Sequence, residues 1–251
     1  MKDQPYRQNP LLRLSYSFIA PLYDFVIEHP MRAARQASLA ALPTDQPGRV
    51  LISGVGTGLD LPWLPELHRY TALDFNPAML AHAVPRGEQL DMDFMLGDSM
   101  ALPFADRSFD FVVLHLITAV VPEPQRCLSE AARVLKPGGT ILLFDKFLQP
   151  GQLAPLRRLL TPLTRRLATR MDVVFEEVLC AAPELQVVSD TPALGGGWFR
   201  HIRLVKLENA GYHAEARRSR SSNPQHKRAL PVCFSPRPPR LRVRMQFQVL
   251  Q

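Results

Sequence analysis

The residues with most chemical promise are a glycine run, Gly54-Val-Gly-Thr-Gly58, and the acids that follow it, Asp74, Asp98 and Asp145. Glycines at a strand-to-loop junction let the backbone turn tightly and approach a ligand, because a side chain there would obstruct the approach or resist positive φ. Such a run serves dinucleotides, flavins and phosphates, or only turns the chain. Asp74, twenty residues after Gly54, is placed where a strand-end carboxylate accepts hydrogen bonds from both hydroxyls of a ribose; the plainer role is a helix-capping acid. Asp98, in Gly-Asp-Ser-Met100, is a third strand-end acid. It is suited to accept from an adenine amino group while Met100 or Phe75 packs on the ring, or simply to close a turn after Gly97. The missing third glycine of a GxGxxG spacing, with this extra acid, points from dinucleotides toward S-adenosylmethionine.

His115, Asp145 and Lys146 sit just past two further apolar runs. A neutral imidazole at His115 is able to accept a proton near neutral pH, or only to pack against the cofactor. Asp145 and Lys146 either orient a polar head group or pair with each other. Tyr16 and Tyr23 lie in an N-terminal segment that reads as a helical cap over the acceptor pocket or as ordinary helix packing.

These positions require strands that end together. Short apolar runs alternate with helical patterns over residues 49–146, the signature of a parallel sheet flanked by helices. Strands are expected at Arg49–Ser53, Tyr70–Asp74, Met92–Leu96, Phe109–Leu114 and Thr140–Phe144. Helices are expected from Ala78 to about Ala83, capped by Asn76 and Pro77, and from Gln125 to Lys136, stopped by Pro137-Gly-Gly139. A helix over 172–182 and strands at Leu185–Ser189 and Phe199–Lys206 complete the pattern, with Gly195-Gly-Gly197 as a tight connection. The expected fold is α/β: a Rossmann-like, seven-stranded, mostly parallel sheet with helices on both faces. The expected organisation is a helical cap over 1–48, a core over 49–210 and a basic, poorly ordered tail over 211–251.

The chain of 251 residues carries a formal charge of +7. The tail holds nine Lys/Arg against Glu215, so residues 1–210 are close to neutral and a nucleic-acid partner is not favoured. No apolar run reaches the roughly 20 residues of a membrane span, and the N-terminus does not read as a secretory signal. The expected location is cytoplasmic, with peripheral contact at the inner membrane surface through 153–171, where arginines alternate with leucines; a solvated basic face is the alternative. Cys127, Cys180 and Cys233 fall at no metal-ligand spacing, so no metal site is expected.

Four segments in order, VLISGVGTGLDLP, ALDFNPAMLAHA, LGDSMALPFADRSFDFVVL and EAARVLKPGGTILL, resemble the class I methyltransferases over roughly residues 49–146. GVGTGLDLPWLP and AVVPEPQRCLSEAARVLKPGG are most similar to bacterial phosphatidylethanolamine N-methyltransferases. The similarity to ubiquinone/menaquinone-biosynthesis C-methyltransferases is more distant. The resemblance implies S-adenosyl-L-methionine as cofactor, with contacts from Gly54, Val55, Gly56, Thr57, Gly58, Asp74, Phe75, Met79, Asp98, Ser99, Met100 and His115. It also implies a small-molecule or lipid acceptor near Tyr16, Tyr23, Asp145 and Lys146. The pattern carries an acid two residues before the first glycine, where this chain has Ile52. Methyl transfer from a sulfonium mainly needs alignment of donor and nucleophile. Phospholipid head-group nitrogen is the favoured acceptor; the alternatives are a quinone precursor or other small metabolite, an RNA, or binding of the cofactor without turnover.

Overall fold

A computed structural model describes residues 31–148 and 172–208. Tyr16, Tyr23, most of the expected cap, the arginine–leucine segment 153–171 and the basic tail lie outside the described residues. Seven strands form one sheet in the order β3-β2-β1-β4-β5-β7-β6. They are β1 (Arg49–Ser53), β2 (Arg69–Asp74), β3 (Met92–Leu96), β4 (Phe109–His115), β5 (Leu135–Lys146), β6 (Leu185–Leu194) and β7 (Phe199–Lys206). The first five strands pair in parallel, whereas β7 runs antiparallel to both β5 and β6.

Alternation along the central strands divides the core between the two faces. Leu51, Leu73, Val112, Leu114, Ile141 and Leu143 belong to one cluster, while Val50, Ile52, Ala72, Val113 and Leu142 belong to the other. Helix α1 (31–39) supplies Leu39 to the second cluster. Helix α2 (Pro77–Ala83) starts where the Asn76 side chain accepts from Ala78 N, with proline at the first helical position. Helix α3 (Pro124–Val134) buries Cys127, Leu128, Ala131 and Val134 in the first cluster, and burial pushes the Cys127 thiol up to about 12. Helix α4 (Phe175–Leu179) adds Phe175 and Val178 to the same cluster.

Three element boundaries differ from expectation. The helix before Pro137-Gly-Gly139 stops at Val134, and β5 begins at Leu135, because Leu135 is buried and pairs with Phe109. Gly138 takes φ +76°, and a Cβ on Gly139 would lie 2.8 Å from the Asp110 carbonyl, so the glycines form an irregularity within the strand. The helix expected over 172–182 has only five α-helical residues; the Ala181 and Ala182 amides donate to Val178 and Leu179, tightening the chain ahead of Pro183. Strand β6 runs on to Leu194 because an edge strand tolerates Pro192 and the two register shifts seen there.

Candidate active site

The strand order reverses between β1 and β4, and ligands in open α/β sheets bind at such a switch point, beyond the carboxyl ends of the strands. Gly54 and His115 end or directly follow these two strands, with Asp74, Asp98 and Asp145 at the ends of β2, β3 and β5.

The glycine loop is held by close packing. Gly54 and Val55 amides both donate to the Leu73 carbonyl, at 2.8 and 3.0 Å. Gly54, Gly56 and Gly58 have φ of +81°, +56° and +83°. A Cβ on Gly54 would meet Ile117 at 2.7 Å, and one on Gly58 would meet the Ala83 backbone at 3.0 Å. At Gly56 a Cβ would meet nothing within 4 Å, so the loop is open at its crest. The Gly56 amide donates to Asp74 Oδ2 at 2.8 Å, and Asn76 N donates to Asp74 Oδ1 at 2.9 Å. Burial raises the Asp74 pKa, opposed by the amides of Asn76, Gly56 and Phe75. An open crest beside an acceptor-rich carboxylate suits a nucleoside with its ribose against Asp74.

Asp98 accepts from Met100 N at 2.8 Å and so closes its own turn. Ser53 Oγ donates to Ser99 Oγ at 2.8 Å, joining the end of β1 to this turn. Met100 packs in the core with Leu51 and Leu73, whereas Phe75 is half-buried at the sheet edge; of the two residues expected to meet an adenine ring, Phe75 is the less enclosed. Met79 is buried on α2, and Thr57 is buried with its carbonyl accepting from Arg86 at 2.6 Å. Glu130 and Arg133 of α3 brace the loop that follows: Leu102 N donates to Glu130, and Arg133 donates to the carbonyls of Leu102 and Phe104.

His115 is enclosed, its side chain 1 % exposed. Its Nδ1 lies 3.1 Å from Asp60 Oδ2, its Nε2 lies 2.9 Å from Ser38 Oγ, and its ring stacks edge-on against Phe144. Arg35 Nη1 donates to the other Asp60 oxygen at 2.8 Å. Burial would raise the Asp60 pKa, but the charges of His115 and Arg35 and their hydrogen bonds outweigh it and hold this carboxyl well below the usual range. An ionised carboxylate only accepts, so Nδ1 of His115 carries the proton; in the neutral ring Nε2 then accepts from the Ser38 hydroxyl. In this arrangement both ring nitrogens of His115 are engaged, by Asp60 on one side and Ser38 on the other.

Asp145 is 0 % exposed and accepts from the amides of Ala119 and Lys146, with a further bond from Thr118. Burial raises its pKa, while Lys146 and these amides oppose the rise. Its carboxylate, fully enclosed, supports the loop after β4 through the Ala119 amide. Lys146 is half-buried beside it. Ile52 is buried in the core with Val50 and Val113, so no carboxylate occupies that part of β1.

Arg35, Ser38 and Asp60 were not among the site residues expected from sequence. The available signal was an acid, Asp60, inside the apolar run Leu59–Trp63, since a buried charge requires a partner.

A family model described as a methyltransferase domain matches residues 51–143. Over 190 residues the chain is 36% identical to a phosphatidylethanolamine N-methyltransferase of Cereibacter sphaeroides, covering 74% of this chain and 93% of that protein. The chain belongs to the class I S-adenosylmethionine-dependent methyltransferases. A demethylmenaquinone methyltransferase of Renibacterium salmoninarum is 36% identical over 133 residues, which cover 51% of this chain and 55% of the relative. The fold is also that of a chain in the solved Haloferax volcanii complex between the Trm112 methyltransferase activator and a methyltransferase. That match has a TM-score of 0.64 at 20% identity, covering 77% of this chain and 97% of the other. As a member of this methyltransferase family the protein is an enzyme that uses S-adenosyl-L-methionine.

Proposed function

We propose that the chain methylates the head-group nitrogen of a phospholipid. The observation that carries this reading is the extent of the similarity to the Cereibacter sphaeroides enzyme, nearly that protein's full length, against about half for the demethylmenaquinone methyltransferase.

In this reading Gly54, Val55, Gly56, Thr57 and Gly58 cradle the cofactor's methionine and ribose, and Asp74 accepts from the ribose hydroxyls. Asp98 and Ser99 mark the adenine end, with Phe75 against the ring and Met79 and Met100 beneath it. The cofactor supplies an electrophilic methyl group. The chain's own task is to align the acceptor nitrogen and remove its proton before attack. Ser38 passes that proton to His115, and Asp60 stabilises the imidazolium that results. The arginines and leucines of 153–171 bring the enzyme to anionic lipid, which their pattern supports. Among the described residues no helix is long and apolar enough to cross a membrane.

Expression in a bacterium that makes phosphatidylethanolamine but no methylated phospholipid tests the reading. Mono-, di- or trimethylated head groups are expected in the lipid extract by mass spectrometry. An unmodified lipid profile alongside a methylated quinone precursor would overturn it.

A further inference from the structure

Beside the His115 network, the described residues contain a small cleft where three arginines from two parts of the chain converge. Arg32 and Arg35 come from one face of α1, three residues apart. Leu59, Pro62 and Trp63 come from the segment after the glycine loop, and Arg86 from the turn after α2. The Arg32 guanidinium lies over the Trp63 ring, 4.6 Å from its centroid, and Arg86 is anchored on the Thr57 carbonyl. Arg35 is 8 % exposed, and its Nε is buried without a hydrogen-bond partner among the described residues.

Among the described residues no carboxylate lines this cleft. Asp60 binds Arg35 from the other side and is shared with His115. The cleft therefore gathers cationic side chains around a buried Arg35 N–H that has no partner among the described residues, and such a group is costly unless an acceptor answers it. Its free volume of about 50 Å³ accommodates a few waters or one tetrahedral anion, and excludes a nucleoside. Guanidinium forks match phosphate oxygens, and Trp63 holds one of them in orientation.

We infer that Arg32, Arg35 and Arg86 form a phosphate site that takes the phosphodiester of the acceptor. The inference rests on the phospholipid reading and adds to it the part of the acceptor that is recognised. Only Asp60 separates the Arg35 guanidinium from His115, so a phosphate held here lies close to the end of β4. In an ethanolamine head group two carbons link phosphate and nitrogen, and an anchored phosphate therefore restricts where the nitrogen falls. A quinone precursor offers no such anion.

Arg32 is the position to vary, since its described contact is the Trp63 ring and it touches neither the glycine loop nor Asp60. In the full-length protein, soluble glycerophosphoethanolamine and inorganic phosphate are titrated while the phosphorus NMR linewidth is followed. Methyl transfer to phosphatidylethanolamine in neutral vesicles is measured in parallel. Arg32→Gln is expected to weaken glycerophosphoethanolamine binding and raise KM for the vesicles by about tenfold, and Arg32→Glu by more. Affinity for S-adenosylhomocysteine and the melting temperature should stay at the wild-type values. Equal head-group binding in wild type and Arg32→Glu overturns the site, as does binding of inorganic phosphate alone with an unchanged vesicle KM. If the wild type methylates no phosphatidylethanolamine yet loses head-group binding on Arg32→Glu, the phosphate site stands and the acceptor reading falls.

Discussion

Asp74→Ala is expected to bind S-adenosylhomocysteine about tenfold to hundredfold more weakly than the wild type while remaining folded. A hydrogen bond to a charged group contributes roughly 1.5–3 kcal/mol, and that range sets the factor. The loss has two physical sources. One is the acceptor for the ribose hydroxyls. The other is the shape of the loop, because Asp74 also receives the Gly56 and Asn76 amides, at 2.8 and 2.9 Å. Asp74→Asn keeps one acceptor oxygen and should fall between the wild type and alanine. Calorimetric titration with thermal melting of the same samples measures both effects. A folded alanine variant of unchanged affinity would remove Asp74 from the cofactor site.

Gly54→Ala and Gly56→Ala should fail in opposite ways although they stand two residues apart. Both force an L-residue to positive φ, which costs about 1–2 kcal/mol. At Gly54 the new methyl also lies 2.7 Å from Ile117, and overpacking adds roughly 1–3 kcal/mol. Together these approach a large share of the ~5–15 kcal/mol that holds a domain folded. Gly54→Ala should therefore lose most of its stability, seen as a large drop in the urea midpoint or as insoluble protein. Gly56→Ala meets nothing within 4 Å, so its stability should fall only by the backbone strain. Its methyl instead occupies the open crest, and cofactor affinity should fall at least about tenfold if the crest is where the nucleoside lies. Loss of folding at Gly56 with tolerance at Gly54 would reverse the account of this loop.

The strands of the central sheet were readable because burial on both faces writes itself as continuous apolar runs such as Val50–Ile52 and Val112–Leu114. The glycine loop and Asp74 were readable for a related reason: each follows directly on such a run. Boundaries set by pairing with distant strands were not, as at Leu135, where contact with Phe109 overrides the local helical spacing. The same limit hid the network around His115. Its hydrogen bonds join residues 25, 55 and 77 positions apart, and no local pattern announces which serine, acid and arginine will meet one histidine. Asp145 shows the converse. Its place at a strand end suggested ligand contact, and its carboxylate also takes the amides of Ala119, in the loop after β4, and of its neighbour Lys146.

Methyl transfer to defined acceptors in vitro tests the central claim most directly. The purified full-length protein is incubated with methyl-labelled S-adenosylmethionine and, separately, with phosphatidylethanolamine vesicles, demethylated quinone precursor and total RNA. The account predicts label on the head-group nitrogen of the phospholipid, with transfer falling sharply in Asp74→Ala. Label on quinone carbon or on RNA, with none on lipid, would contradict it.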